Sequence, residues 1–209
     1  MVTYAGRMPP DATDTKRRLL RAAVEEFARH GLAGARVDRI AEAAAANKRS
    51  IYMHFGSKEE LFDRAVADSM LELAQSLTLD DGDLPRYAGD MFDRLQRWPH
   101  VTRLYHWAAL EREQPFEPEV AGYRRRVEAI AAAQAAGEVR DDVPAADLMA
   151  MVIAVVISWD SAAWSLRELQ AEHGSPDAAA RRAAVVSAVA GLTRPPGPSP
   201  ALHEPRSSR

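Results

Sequence analysis

The 209-residue sequence has no cysteine, which excludes disulfides and thiolate chemistry and makes a reducing cytoplasm the expected compartment. It has no long apolar run either. The longest, LMAMVIAVVISW at 148–159, is 12 residues, against about 20 for a membrane-spanning helix, so no membrane partner is expected. The opening MVTYAGRMPPDATDT lacks the apolar core of a secretory signal. There is no glycine-rich phosphate loop and no nucleophile elbow. His100 and His106 stand six apart, and neither belongs to an H-E-x-x-H pattern, so no enzyme activity, cofactor or metal is expected. No pair of alternating segments is joined by hairpin turn residues. Aromatic residues are sparse at 7%, and none of the four tryptophans precedes residue 98.

Apolar residues nonetheless make up 47% of the chain, enough for a sizeable core. Net charge is -3, but it is unevenly placed: residues 1–60 carry 11 Lys and Arg against 8 Asp and Glu, and the remainder 16 against 22. The basic part of the molecule is its N-terminal part.

Helical periodicity runs nearly throughout, predicting an all-α fold. In DTKRRLLRAAVEEFARH, Leu20, Ala23, Val24 and Phe27 form an amphipathic stripe, and Gly31 stands where that helix would end. Short helices are predicted at 37–44 and 48–54, the second capped by Asn47. Ser57 and Glu60 have capping-box spacing and open a helix from Lys58 towards Leu79. Beyond DDGD at 80–83, helices are predicted over 84–98, from Pro99 onward, over 119–138, over 145–171 without a break, and over 177–192. The β-branched run from Val152 to Ile157 is read as helix, because an isolated strand would have no partner. The closing Pro- and Ser-rich residues, 193–209, are expected to be a disordered tail.

The stretch NKRSIYMHFGSKEEL at 47–61 concentrates basic, hydroxyl and aromatic side chains on a two-turn helix. Two short helices separated by about three residues, the second led by Lys48, Arg49 and Ser50, have the layout of a helix-turn-helix. Ile51 and Phe55 can pack inward, while the leading residues face outward. The same spacing would fit three ordinary packed helices whose basic residues only solvate the surface.

Residues 40–62, IAEAAAANKRSIYMHFGSKEELF, resemble the DNA-binding segment of the TetR family of transcriptional repressors. Ile40, Ala41, Ala44, Ile51, Tyr52, Phe55, Ser57, Lys58, Glu59 and Leu61 fall in register with the family pattern. The resemblance extends over about residues 14–62, with Phe27 and Gly31 in its opening helix. It implies a helix-turn-helix DNA-binding domain at 12–58 and a larger helical effector-binding and dimerisation domain at 59–192. It also implies a homodimer bound to a palindromic operator in double-stranded DNA and released by a small molecule. Tyr52 and Lys58 match phosphate-contacting positions. Lys48, Arg49 and Ser50 fall at positions of base or backbone contact, and His54 on the phosphate side. Arg36 stands where the family has a capping Ser or Thr and is expected to reach a phosphate instead. Asn47 replaces the usual Ser and keeps the cap. Ala45 replaces the turn glycine, from which a slightly different turn is expected.

In the larger half, the helices predicted at 145–171 and 177–192 are the dimerisation candidates. Ala162, Ala163, Ala179, Ala180, Ala183, Ala184 and Ala188 would permit close approach, and Trp159, Trp164, Val185 and Val189 would supply area. Trp98, Tyr105, His106, Trp107, Trp159, Asp160 and Trp164 are the effector-site candidates, since apolar pockets combine aromatic walls with a few polar groups. A small, mainly apolar or aromatic effector is expected, although an ordinary place in the core or on the surface is the commoner role for each residue taken singly. A helical dimer that binds only protein is the rival function, and salt-sensitive retention on duplex DNA separates the two.

Overall fold

A computed structural model describes residues 12–79, 81–112, 114–115, 117–173 and 177–196. Of the tail expected from residue 193, the part beyond residue 196 lies outside the described residues, and Thr193 is the last residue of a helix. The described residues form helices and turns without a strand: α1 (Ala12–Gly34), α2 (Val37–Ala43), α3 (Lys48–Phe55), α4 (Lys58–Gln75), α5 (Leu84–Arg97), α6 (Pro99–Glu111), α7 (Glu117–Ala135), α8 (Ala145–Val156), α9 (Ser158–Ser161), α10 (Trp164–Glu172) and α11 (Ala178–Thr193). The fold is all-α, as the periodicity predicts. None of these helices is long and apolar enough to cross a membrane.

Two compact units divide the chain. One comprises the chain up to Thr78 together with Asp93–Tyr123; the other comprises Leu79–Phe92 together with Arg124 onward.

In the first unit, α1 packs chiefly on α4 and α6 and also covers α2. The buried stripe of α1 is Leu19, Ala23, Phe27 and Ala28. The expected Leu20 and Val24 are only half-buried, because the stripe is rotated by one residue to face α4. Phe27 meets Phe62 edge-on, with ring centroids 5.1 Å apart. Around that pair Ile40, Ile51, Leu61 and Ala65 are fully buried. The regular helix of α1 stops at Gly31, as its position in the sequence predicts: the residue takes φ 64° and ψ -176°, and a further short turn beyond this kink carries the chain to Gly34. A Cβ at residue 31 would lie 2.8 Å from the indole of Trp107 on α6, so the position needs glycine for its φ and for its space.

In the second unit, α8 buries Leu148, Met149, Val152, Ile153 and Val156, and α11 packs on it through Val185 and Val189. The two valines offered as dimer area are thus buried inside the chain itself. The single helix expected over 145–171 is a correction: it breaks at Ile157 and again at Ala162 and Ala163, which take extended ψ values of 142° and 146°. Neither glycine nor proline marks these breaks. At the first break the Ile157 carbonyl takes the N–H groups of Asp160 and Ser161 and the Ser161 hydroxyl; at the second the Arg167 guanidinium donates to the carbonyls of Ala162 and Asp160. Smaller differences are end effects. α4 stops at Gln75, where the Ser76 hydroxyl turns back to Leu73, and α7 runs from Glu117 to Ala135.

Candidate nucleic-acid interface

α3 begins where its sequence says it should. Asn47 takes an extended backbone, and its Oδ1 accepts from the Arg49 N–H at 2.8 Å. Ile51 is fully buried and fixes the helix on the first unit. Phe55 is only half-buried, with the Lys16 ammonium 5.8 Å from its ring, and so sits at the margin rather than in the core. The opposite face carries Lys48, Arg49, Tyr52 and Met53 in solvent, with Ser50 and His54 half-exposed beside them. Tyr52 is 46% exposed and Met53 70%, an aromatic and a thioether standing off the surface where an ordinary helix would place polar groups.

The basic residues are not all unengaged. Lys48 Nζ lies 2.8 Å from Asp38 of α2, and this hydrogen bond, reinforced by the carboxylate charge, raises the lysine above its usual pKa. Lys58 opens α4 behind Ser57, whose Oγ accepts from the Glu60 N–H at 3.0 Å; its Nζ points to the Ala33 carbonyl at 3.4 Å. Arg36 precedes α2 without a side-chain cap, and its backbone N–H donates instead to Glu26 of α1 at 2.8 Å. Glu26 also takes both Nε and Nη2 of Arg39. Burial opposes ionisation of Glu26. The hydrogen bonds from Arg39 and Arg36, with the nearby charges of Arg39 and His30, outweigh that and hold the carboxyl below its usual range.

The turn between α2 and α3 corrects an expectation. Ala45 adopts φ 47°, the left-handed conformation in which glycine is at ease, so the turn is kept without the glycine. The Ala45 N–H donates to Glu42 and the Ala46 N–H to Ala41, the paired bonds of a Schellman ending. The Arg18 guanidinium of α1 reaches across to the carbonyls of Ala44, at 2.7 Å, and Ala45, at 3.4 Å. Arg18, Glu26 and Asp38 all escape a reading of the sequence. Each acts on a residue at least ten positions away, and no local spacing encodes that.

The effector-site candidates are divided between the two units. In the first unit Trp98 is half-buried at the start of α6, Tyr105 and His106 meet edge-on at 5.8 Å, and Trp107 is against Gly31. A cavity of about 290 Å³ in this unit is lined by Val66 and Met70 of α4, by Tyr105, Ala108, Ala109 and Arg112 of α6, and by Gln114, Pro115 and Glu119. Tyr105 alone among the seven candidates lines it. Burial raises Glu119 above the usual carboxylate range against the opposing charge of Arg112. In the second unit Trp159 is half-buried with the Arg181 guanidinium 5.9 Å from its ring. Asp160 is exposed, and Trp164 is 86% exposed under Arg167. Among the described residues no group of His, Asp and Glu could hold a metal ion.

The arrangement around α3 has counterparts in known proteins. The family described as bacterial regulatory proteins, tetR family, matches residues 19–65, and the tetracyclin repressor-like C-terminal domain matches residues 83–190. The chain belongs to the TetR family. It is similar to the HTH-type transcriptional repressor SCO4008 of Streptomyces coelicolor, 41% identical over 149 residues that cover 69% of this chain and 78% of the relative. The HTH-type transcriptional repressor NicS of Pseudomonas putida is 30% identical over 148 residues, 63% of this chain and 69% of that protein. The crystal structure of SCO4942 from Streptomyces coelicolor, described as a transcriptional regulator, superimposes with a TM-score of 0.77 at 35% identity, covering 86% of this chain and 98% of that one. TetR membership makes this chain a DNA-binding transcriptional regulator, with α2 and α3 as its helix-turn-helix.

Proposed function

We propose that the protein is a homodimeric repressor that reads a palindromic operator with α3 and leaves it when a small apolar or aromatic molecule binds. The observation that carries the DNA-reading part is the capped, core-anchored α3 with Lys48, Arg49, Ser50 and Tyr52 on its free face. Arg49 and Lys48, at the head of the helix, would meet base edges, and Tyr52, His54, Lys58 and Arg36 would meet phosphates on either side. Asn47 would place the N–H groups of the first turn towards the backbone. Residues 12–58 would act as the reading head and 59–192 as the effector and dimerisation body. The word repressor in the names of SCO4008 and NicS supports that direction of control.

Dimerisation through residues about 145–192 is supported by the outer face of α11, where Ala180, Ala183, Ala184, Ser187, Ala188 and Gly191 are solvent-exposed at helical spacing. A second helix could approach such a face closely. On α8, Ala150, Met151 and Ala154 are likewise exposed. A two-fold pair would set two α3 helices on half-sites about one turn of DNA apart.

For the effector, the cavity of the first unit is the favoured seat. Its walls are mostly apolar, and it has one cation and one carboxyl that burial biases towards neutrality. α6 supplies the link: Tyr105, Ala108, Ala109 and Arg112 lie along one face, and Trp107 and Glu111 on the other face touch α1 at Gly31 and Leu32. A ligand that favours one position of α6 would bias α1, and with it the head. A gel-shift assay on DNA upstream of the protein's own and neighbouring genes, repeated with a panel of small aromatic molecules, tests this reading. Retention that is released by one of them, with tryptophan quenching over the same concentrations, supports it. Failure to retain any of these fragments opposes it.

A further inference from the structure

We infer that Arg18 is a positioning residue for DNA reading: it clasps the left-handed Ala45 turn from outside and so fixes the angle at which α3 leaves α2. The inference rests on α3 being the reading helix and goes beyond it, because Arg18 lies on neither helix of the motif.

A helix end leaves its last carbonyls without partners. At the end of α2 the Schellman bonds from Ala45 and Ala46 satisfy the carbonyls of Glu42 and Ala41. The carbonyls of Ala44 and Ala45 lie beyond the reach of those bonds, and both receive the same nitrogen, Nη1 of Arg18, at 2.7 and 3.4 Å. A cation at a helix C-terminus is also favoured by the peptide dipoles. Arg18 is itself held: its Nε donates to Asp14 at 3.1 Å and its Nη2 to Thr15 Oγ1 at 3.4 Å, both on its own helix. The side chain is therefore a braced strut from α1 to the turn.

The turn needs such a strut because of what occupies it. Ala45, at φ 47°, is the one non-glycine residue with positive φ among the described residues. An alanine there is strained, and a strained conformation persists only when its surroundings over-determine it. Without Arg18 the chain at Ala45 would relax towards negative φ, and α3, separated from Ala45 only by Ala46 and Asn47, would swing with it. Small rotations of a reading helix displace several contacts together, so operator binding should suffer more than general attraction to phosphate.

A rival role for Arg18 is direct phosphate contact, and salt dependence separates the two. A duplex selected by the wild-type protein from a random-sequence library serves as the operator, and a random duplex of equal length as the control. Arg18→Met, Ala45→Gly and the double variant are compared with the wild type. The clasp predicts at least a tenfold loss of operator affinity in Arg18→Met, little loss on the random duplex, and an unchanged slope of affinity against salt. It predicts that adding Ala45→Gly restores most of the loss, because glycine holds positive φ without help. Urea unfolding of the same four proteins reads the coupling without DNA: Arg18→Met should lower the midpoint less when Ala45→Gly is present. The idea is overturned if Arg18→Met weakens both duplexes alike with a salt slope reduced by about one. It is equally overturned if Ala45→Gly rescues nothing, or if the midpoint falls equally in both backgrounds. Should the wild type select no duplex, α3 as a reading helix fails, while the urea comparison still decides the clasp.

Discussion

The indole of Trp107 fills the space that a side chain at residue 31 would need: a Cβ built on Gly31 would come within 2.8 Å of it. Counted as an effector contact from its aromatic character, Trp107 instead joins α6 to the kink of α1. Gly31→Ala adds a clash to a φ of 64° and should destabilise the protein by about 2–4 kcal/mol, from left-handed strain plus overpacking. Combining it with Trp107→Leu should recover part of that loss, because the clash goes while the strain stays. Urea denaturation of both single variants and the double variant measures the coupling.

Tyr52→Phe and Lys58→Ala should each weaken binding to all duplexes by similar factors, about 3- to 10-fold, because both are assigned to phosphates. Arg49→Ala should in addition change the ranking of operator variants. Asp38→Asn should act in the opposite sense. It releases Lys48 from its carboxylate partner and removes a negative charge from the face, so affinity for any duplex at low salt should rise. Titrations of an operator panel at two salt concentrations check all four. Unchanged affinity in both phosphate-site variants would remove α3 from the groove.

Acid should loosen the reading head through Glu26. Its folded pKa is below its ordinary value of 4.5, so the stability it lends is complete above 4.5 and is lost as pH falls through the folded value. Glu26→Gln should lower stability at pH 7 and flatten this part of the acid limb. Thermal unfolding of both proteins from pH 7 to pH 3 would show it, and parallel curves would count against it.

Ala184→Glu places a charge on the exposed small-residue face of α11 and should yield a monomer at micromolar concentration with far weaker operator binding. Sedimentation gives the mass directly. A dimer of unchanged stability would put the interface elsewhere.

What could be read from the sequence follows the range of the forces involved. Asn47 and Ser57 announce their caps within three residues, and both caps form as written. Ile51 is buried as its periodicity predicts, whereas Phe55, four residues on, lies past the end of the surface that covers it. The break between α8 and α10 was hidden because no glycine or proline marks it and the apolar pattern runs on across it. It depends on Arg167 finding carbonyls at Ala162 and Asp160, a tertiary choice that overrides propensity. Ala45 looked like a departure from a glycine turn, but its support comes from Arg18, 27 residues earlier. Composition carries no distances, so it could not show that Trp107 packs against Gly31 or that Trp164 is a solvent-exposed ring.

If α3 reads specific DNA as one of a two-fold pair, selection from a random-sequence duplex library by the wild-type protein will show it. The expected result is an enriched palindrome with half-site centres about one helical turn apart, bound more tightly than random duplex by about 1,000-fold or more at physiological salt. Enrichment of no sequence, with retention governed by salt alone, would contradict it.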